Sequence, residues 1–463
     1  MSTVLDYVST ATQTFAQRPF NAVDALALAC LSYQNMPGIV ATLSDTTERY
    51  GTLGRRLRHL DFHHPAGLWK SIWTAPFDGP TVTQLNEYLK HHDFIERHGP
   101  TGLADPHLTE RLYDAAAQSP RFGPLIVCAF ERRFSVERQT QFAAETFLLP
   151  DGTLAIAFQG TDDSFVGWKE DFNMAFQYPV PAQESALDYL ETVAGLWRGP
   201  IILLGHSKGG NLAFYAALNA TDDTRARISH VYCLDGPGFP ETVVDSNRYR
   251  DIIGVVDKIV PTSSIVGMIL ETPEPCIVVQ STQRGIMQHL AFSWQVEQDH
   301  FIQVPSVSPG SQFFNRQLNL WLRGMTTEQR QQSVDALFSI LAATGNDGFT
   351  SMMTSLPKAI PEMFSSFVGL SEQDRRNIRY VANLLLRVRF GIFPADGAPT
   401  AADASRPRDT SDTAPPADAD DHTAAQTDAN AALGDTPRTG PGTTSGTSDT
   451  SGASGGGLTM TTT

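Results

Sequence analysis

The stretch Ile201-Ile-Leu-Leu-Gly-His-Ser-Lys-Gly-Gly-Asn-Leu-Ala-Phe-Tyr-Ala-Ala217 decides the fold. Its first four residues are wholly apolar, as in a short strand buried on both faces. The run from Asn211 has the composition of a helix. Between them lies Gly205-His206-Ser207-Lys208-Gly209. This G-x-S-x-G sequence sits between strand and helix, the context in which it forms a nucleophile elbow. The reason is steric: the serine occupies a strained turn, and small neighbours let the helix pack close beneath it. The helix N-terminus then points amides and its positive dipole end at the reacting group. A blander reading of the same letters is a Gly-rich turn whose serine merely caps the helix.

Outward from this point the pattern alternates. Gln141–Leu149 and Leu154–Phe158 flank Pro150-Asp151-Gly152 and read as a hairpin, preceded by the apolar run Leu125–Phe130. Leu187–Trp197 reads as an amphipathic helix, Val231–Leu234 as a strand and Ile252–Val256 as another. Together these predict an α/β fold with a mainly parallel central sheet flanked by helices. Residues 2–33 and 85–117 read as helical, the latter broken by Gly99-Pro100 and Pro106. Residues 312–390 also read as helical, with helix-period spacing in Phe313–Leu322 and Ser333–Leu341. From Asp396 the composition falls to Thr, Ala, Asp, Gly, Ser and Pro without an aromatic residue, which predicts a disordered acidic tail. The expected divisions are a main domain over 1–310 (helices to 120, core 121–310), a helical extension over 311–395 and the tail over 396–463.

With 463 residues, 41% hydrophobic and 18% charged, the chain has material for a sizeable core. A net charge of −16 repels phosphate backbones and anionic surfaces and argues against a nucleic-acid partner. Cys30, Cys128, Cys233 and Cys276 are scattered through apolar runs and form no CxxC pair. Reduced buried thiols fit better than disulfides or zinc. The opening MSTVLDYVSTATQTF lacks the basic and apolar segments of a secretory signal, and no apolar run is long enough to span a membrane. The expectation is a cytoplasmic protein. His63-His64 and His91-His92 are adjacent pairs whose side chains point apart, so they read as surface residues rather than metal ligands.

A nucleophilic Ser207 requires a base, an acid to orient it and donors for the oxyanion. His230, His289, His300 and His422 follow it. His289, in Gly285-Ile-Met-Gln-His-Leu290 after the run Cys276–Gln280, is the expected base, with His300 as alternative. Asp257, which follows Ile252–Val256, is the first choice of acid, and Asp235, which ends Val231–Leu234, is its rival. Each has a plainer reading: Asp235 pinning the Gly236-Pro-Gly turn, Asp257 pairing with Lys258. The amide of Lys208 and the turn Phe158-Gln-Gly-Thr161 are the expected oxyanion donors. Phe165, Trp168, Phe172 and Phe176 share one helical face, either core packing or a wall over the site.

The blocks AFQGTDDSFVGWKEDFNMAF, LLGHSKGGNLAFYAA, LDGPGF, IVPTSSIVGM and QHLAFSWQV resemble a largely uncharacterised bacterial family of α/β-hydrolases. That family is distantly similar to the class 3, fungal-type triacylglycerol lipases. The resemblance runs from about Asn21 to Val304. It implies an α/β-hydrolase fold, Ser207 as nucleophile, Thr161 as an oxyanion residue and His289 as base. It implies no cofactor or metal. The chain departs from the class 3 pattern where the acid stands three residues before the proline of an Asp-x-Val-Pro block: here that position is Lys258. The expected activity is hydrolysis of a small acyl ester or lipid. An inactive scaffold with the same fold and an acyltransferase with the same triad are the alternatives, and the oligomeric state is open.

Overall fold

Successive residues of the apolar strands point to opposite faces of one sheet, and each face has its own cover. The computed structural model describes residues 2–34, 38–60, 71–91, 105–346, 348, 351–352 and 355–392. The expected tail, His63-His64, His92, Gly99-Pro100 and His422 lie outside them. The strands are β1 (Ile126–Ser135), β2 (Thr140–Leu148), β3 (Leu154–Phe158), β4 (Ile201–His206), β5 (Ile228–Leu234), β6 (Val256–Pro261), β7 (Cys276–Val279), β8 (Val296–Glu297), β9 (His300–Phe301) and β10 (Gln303–Val304). The sheet runs β1-β2-β3-β4-β5-β6-β7-β10, with β8 and β9 forming a separate small hairpin. β3 to β7 are mutually parallel, while β1, β2 and β10 pair antiparallel at the two sides. The protein is thus α/β with a mostly parallel central sheet flanked by helices. The hairpin about Pro150-Asp151-Gly152 is present as β2–β3.

One face carries Ala155, Ala157, Ile202, Leu204, Tyr232, Leu234 and Ile259 beneath the N-terminal helices Val4–Thr10, Ala22–Leu31, Val82–Leu89 and Pro106–Gln118. The other carries Leu154, Ile156, Phe158, Ile201, Leu203 and Val231 beneath Pro181–Leu196, Lys208–Asn219 and Asn247–Ile252. The helix Ala22–Leu31 is buried along nearly its whole length, as its Ala/Leu composition allows. Asn21 caps it, accepting from the amides of Val23 and Asp24 at 2.8 and 3.0 Å. Asp24 also receives the buried Arg121 guanidinium, whose remaining N–H groups donate to the carbonyls of Gln13, Arg18 and Pro19. This ties the first twenty residues to the helix pair beside them.

Among the departures from the sequence reading, three have a plain physical cause. Pro106 begins a helix rather than breaking one, because its missing N–H falls at the first helical position, after the cap Asp105. Phe176 lies beyond the helix Phe165–Asn173, although it still packs with Phe165 and Trp168. The run Ile252–Val256 is not a strand: Ile252 ends a helix, a 3-10 turn follows, and β6 starts at Val256 opposite Val231. Its apolar residues are spent on helix packing, so Asp257 stands at the beginning of a strand.

The later helices Pro309–Arg323, Thr327–Ala342, Leu356–Gly369 and Glu372–Arg389 pack back on the core. Phe313, Phe314 and Trp321 join Met174, Val180, Ile265 and Leu270, while Val334, Phe338, Leu341 and Ala359 cover Phe165 and Trp168. Among the described residues no helix is long and apolar enough to cross a membrane. Cys30, Cys128, Cys233 and Cys276 are free thiols.

The strand–turn–helix at Ser207 depends on close backbone approach. A Cβ at Gly209 would fall on the Phe158 carbonyl oxygen, whereas one at Gly195 would meet open space. Gly209→Ala is expected to destabilise the fold by about 1–3 kcal/mol. Gly195→Ala, in a helix, is expected to be neutral or stabilising by up to about 1 kcal/mol. Urea midpoints of the two variants against wild type check the contrast.

Candidate active site

Ser207 follows β4 with φ +58° and ψ −131°, and Asp235 follows β5 with φ +49°. For L-residues the left-handed region costs on the order of 1–2 kcal/mol, so each must be held by its surroundings. The Ser207 amide donates to the Leu234 carbonyl at 2.9 Å, and the Asp235 amide donates to the Ile259 carbonyl at 2.7 Å. Each strained residue is therefore tied to the next strand of the sheet. Both side chains emerge at the carboxyl ends of the parallel strands, the usual place for a site in such sheets.

His289 reaches them from the 3-10 turn Gly285–His289 after β7. Its Nε2 lies 2.9 Å from Ser207 Oγ and its Nδ1 lies 2.6 Å from Asp235 Oδ2. Asp235 is wholly buried, and its other oxygen accepts from Ser264 Oγ at 2.5 Å. With the carboxylate accepting from Nδ1–H, Nε2 is left as the acceptor facing the serine hydroxyl. The loop is held on several sides. Trp294 Nε1 donates to the Gln288 carbonyl at 2.9 Å, and Gln288 Oε1 accepts from the Ser263 amide at 2.6 Å. His206 Nε2 lies 2.8 Å from the His289 carbonyl, which can only accept, so that nitrogen carries the proton. Burial, and then the neighbouring His289, push the His206 pKa down to about 3, so its ring is neutral. The two imidazoles lie 4.8 Å apart between centroids.

Of the two acids weighed from sequence, the structure brings Asp235 to His289 and not Asp257. Asp257 sits opposite Tyr232 at the start of β6 and pairs with His230 Nε2 at 2.8 Å. Its expected position at a strand end rested on the misread run before it. His300 is exposed on β9, 3.3 Å from Asp299 Oδ1, and makes no approach to Ser207.

The Phe158–Thr161 turn crosses directly over the nucleophile. A methyl group at Gly160 would overlap Tyr33 Oη, lie 2.7 Å from the His206 carbonyl and touch Ser207 Cβ at 3.4 Å. Thr161 lines the cleft, and its hydroxyl donates to the Asp171 carboxylate. Lys208 opens the helix after Ser207, with its backbone amide at the helix N-terminus and its side chain turned inward. Its ammonium donates to the Gln141 carbonyl at 2.8 Å and to Glu170 at 3.2 Å, with Asp171 3.8 Å away. Glu170 also accepts from the amides of Gln141 and Ala182 at 3.0 and 2.8 Å. Burial raises the Asp171 carboxyl to about 6, against the opposing pull of Lys208 and of the Thr161 hydroxyl. This buried ionic cluster ties the turn to the helix Phe165–Asn173.

The cleft above Ser207 is small, with about 40 Å³ of free space. Cys30, Tyr33, Trp168, Leu290, Ala291 and Phe292 wall it. Sequence reasoning missed Tyr33 and Cys30, which come from the N-terminal helical region and carry no local mark of a site. It also missed the inward turn of Lys208 and the Gln141, Glu170 and Asp171 groups that receive it. The only available signal was the density of carboxylates in 162–171. Among the described residues no group of three or more His, Cys, Asp or Glu is placed to hold a metal ion.

Residues 116–339 match the model of the Mbeg1-like family, a span just under half the chain. It includes Ser207, Asp235, His289 and Thr161 and leaves out Cys30, Tyr33 and the last two helices. No curated protein matches the sequence.

The neutral His206 has a consequence for stability. Its folded pKa lies below its ordinary value of 6.5, so the unfolded chain binds the extra proton first. That contribution to stability is complete above pH 6.5 and is lost progressively down to about pH 3. His206→Gln, which keeps an N–H for the His289 carbonyl, is expected to unfold with a shallower pH dependence across this window. Urea titrations of both proteins at several pH values measure the slopes; equal slopes would count against a buried neutral imidazole.

Proposed function

We propose that the protein is a lipase-like serine hydrolase of the α/β-hydrolase type, acting on carboxylic esters. The observation that carries this reading is the hydrogen-bonded chain from Ser207 Oγ through His289 to Asp235, set on a left-handed turn between strand and helix. The match to the Mbeg1-like family and the α/β sheet are compatible with it. In this mechanism Ser207 Oγ attacks the ester carbonyl carbon while His289 Nε2 takes its proton. Asp235 holds Nδ1–H and stabilises the imidazolium that forms. The carbonyl oxygen becomes an oxyanion facing the backbone amides at Lys208 and Thr161. The tetrahedral intermediate collapses as His289 returns the proton to the leaving alcohol. Water, activated by the same imidazole, then attacks the acyl-serine and frees the acid.

The walls suit an apolar acyl group, and the narrow free space above Ser207 favours a short one over a long one. Acetate and butyrate esters of a chromogenic phenol are accordingly expected to turn over faster than the palmitate.

Labelling by a fluorophosphonate tests the chemistry directly. Wild type is expected to label, and Ser207→Ala and His289→Ala are expected not to. Asp235→Asn should slow ester turnover by about 10³–10⁴-fold, whereas Asp257→Asn should leave it within a few-fold of wild type. A folded wild type that neither labels nor hydrolyses any ester would sink the proposal. Equal losses in the two Asp variants would remove Asp235 from its role.

A further inference from the structure

Lys258 is fully buried on β6, beside Cys233 of β5. An ammonium taken out of water costs several kcal/mol unless it is paired and hydrogen-bonded. The obvious partner is the buried Glu274, yet their closest approach is 3.7 Å, and the other Glu274 oxygen accepts from Tyr249 Oη at 2.5 Å. The short contact of Lys258 goes elsewhere: Nζ donates to the carbonyl of Gly236 at 2.5 Å. Gly236 is the residue after Asp235. Its other side is packed on the elbow, where an added Cβ would lie 2.6 Å from the Asn211 amide nitrogen and 2.9 Å from the Ser207 carbonyl oxygen. The Asp235–Gly236 turn is thus gripped between the elbow and a buried cation.

We propose that Lys258 is a positioning residue for the Ser207–His289–Asp235 triad, fixing the strained Asp235–Gly236 turn and tuning His289 through the Asp235 carboxylate. This rests on the hydrolase reading above. The charged and titratable groups around it are few. Asp235 faces His289, beside which the neutral His206 ring lies tilted. Lys258 faces Glu274 and the thiols of Cys233 and Cys276, both raised by burial and so uncharged. A positive charge behind the carboxylate weakens its hold on an imidazolium, and the negative charge beside that cation offsets the effect. Removing Lys258 therefore moves the pH profile of Ser207 labelling upward, and removing the negative charge of Glu274 moves it downward. A merely structural lysine would produce no such opposed pair of shifts.

The test is the rate of fluorophosphonate labelling of the full chain between pH 5 and 9. The variants are Glu274→Gln and the double variant Lys258→Met/Glu274→Gln, which removes both buried charges together. Folding is followed by urea titration. Glu274→Gln is expected to label with a midpoint below that of wild type. The double variant is expected to label about 10- to 100-fold more slowly at its plateau. Its midpoint should lie above that of Glu274→Gln, because the two removed charges act in opposite directions. A folded double variant with the wild-type plateau rate, or with the midpoint of Glu274→Gln, would overturn the proposal. If the double variant does not fold, Glu274→Gln decides alone: a lowered midpoint supports the role, and an unchanged or raised one overturns it. A wild type that does not label overturns the hydrolase reading itself, an outcome distinct from any difference among variants.

Discussion

Two neighbouring strands end in residues forced into the left-handed region, and the rest of the site is built on that constraint. The register of β4 and β5 pairs His206 with Leu234, so Ser207 and Asp235 are the next residues out on each strand. Each donates its amide to the following strand, Ser207 to Leu234 and Asp235 to Ile259. The strain is therefore paired with hydrogen bonds that exist only when the parallel register is correct. The loop after β7 then needs only to bring one imidazole across. Nucleophile and acid are placed by the sheet, and His206, Gln288 and Trp294 hold the base.

What could be read from the sequence followed from how local each feature is. The elbow was legible because strand, turn and helix are contiguous over 201–217, and the hairpin because its turn residues are. His289 was legible as the histidine in a loop after a late apolar run. The acid was not decided, since two aspartates follow apolar runs and only one run is a strand. Telling Ile252–Val256 from a strand requires knowing that Ile252 packs on helices of the second face, which is tertiary information. The walls of the cleft were illegible for a similar reason: Cys30 and Tyr33 are far from Ser207 in sequence, and nothing in their neighbours anticipates the meeting.

Charge was the other blind spot. Lysines in a sequence read as solvated, yet Lys208 and Lys258 are both buried here, one under the oxyanion turn and one behind the acid. Each is accommodated by a buried glutamate and by a backbone carbonyl, of Gln141 and of Gly236. A cation on one strand and an anion one strand over are a consistent pair, since a buried charge of either sign needs its complement close by.

The cleft draws its walls from widely separated parts of the chain. Cys30 and Tyr33 come from the beginning, and Leu290 and Phe292 come some 260 residues later in the chain, by the order of magnitude that sets slow, non-local assembly. The reactive serine and its turn form from local and neighbouring-strand contacts, while the enclosure around them requires the apolar helix Ala22–Leu31 to seat on the sheet. During synthesis, the sheet-facing side of that early helix has no cover until the strands it packs on have been made. The shelter of the nucleophile thus depends on a segment made long before the walls it meets.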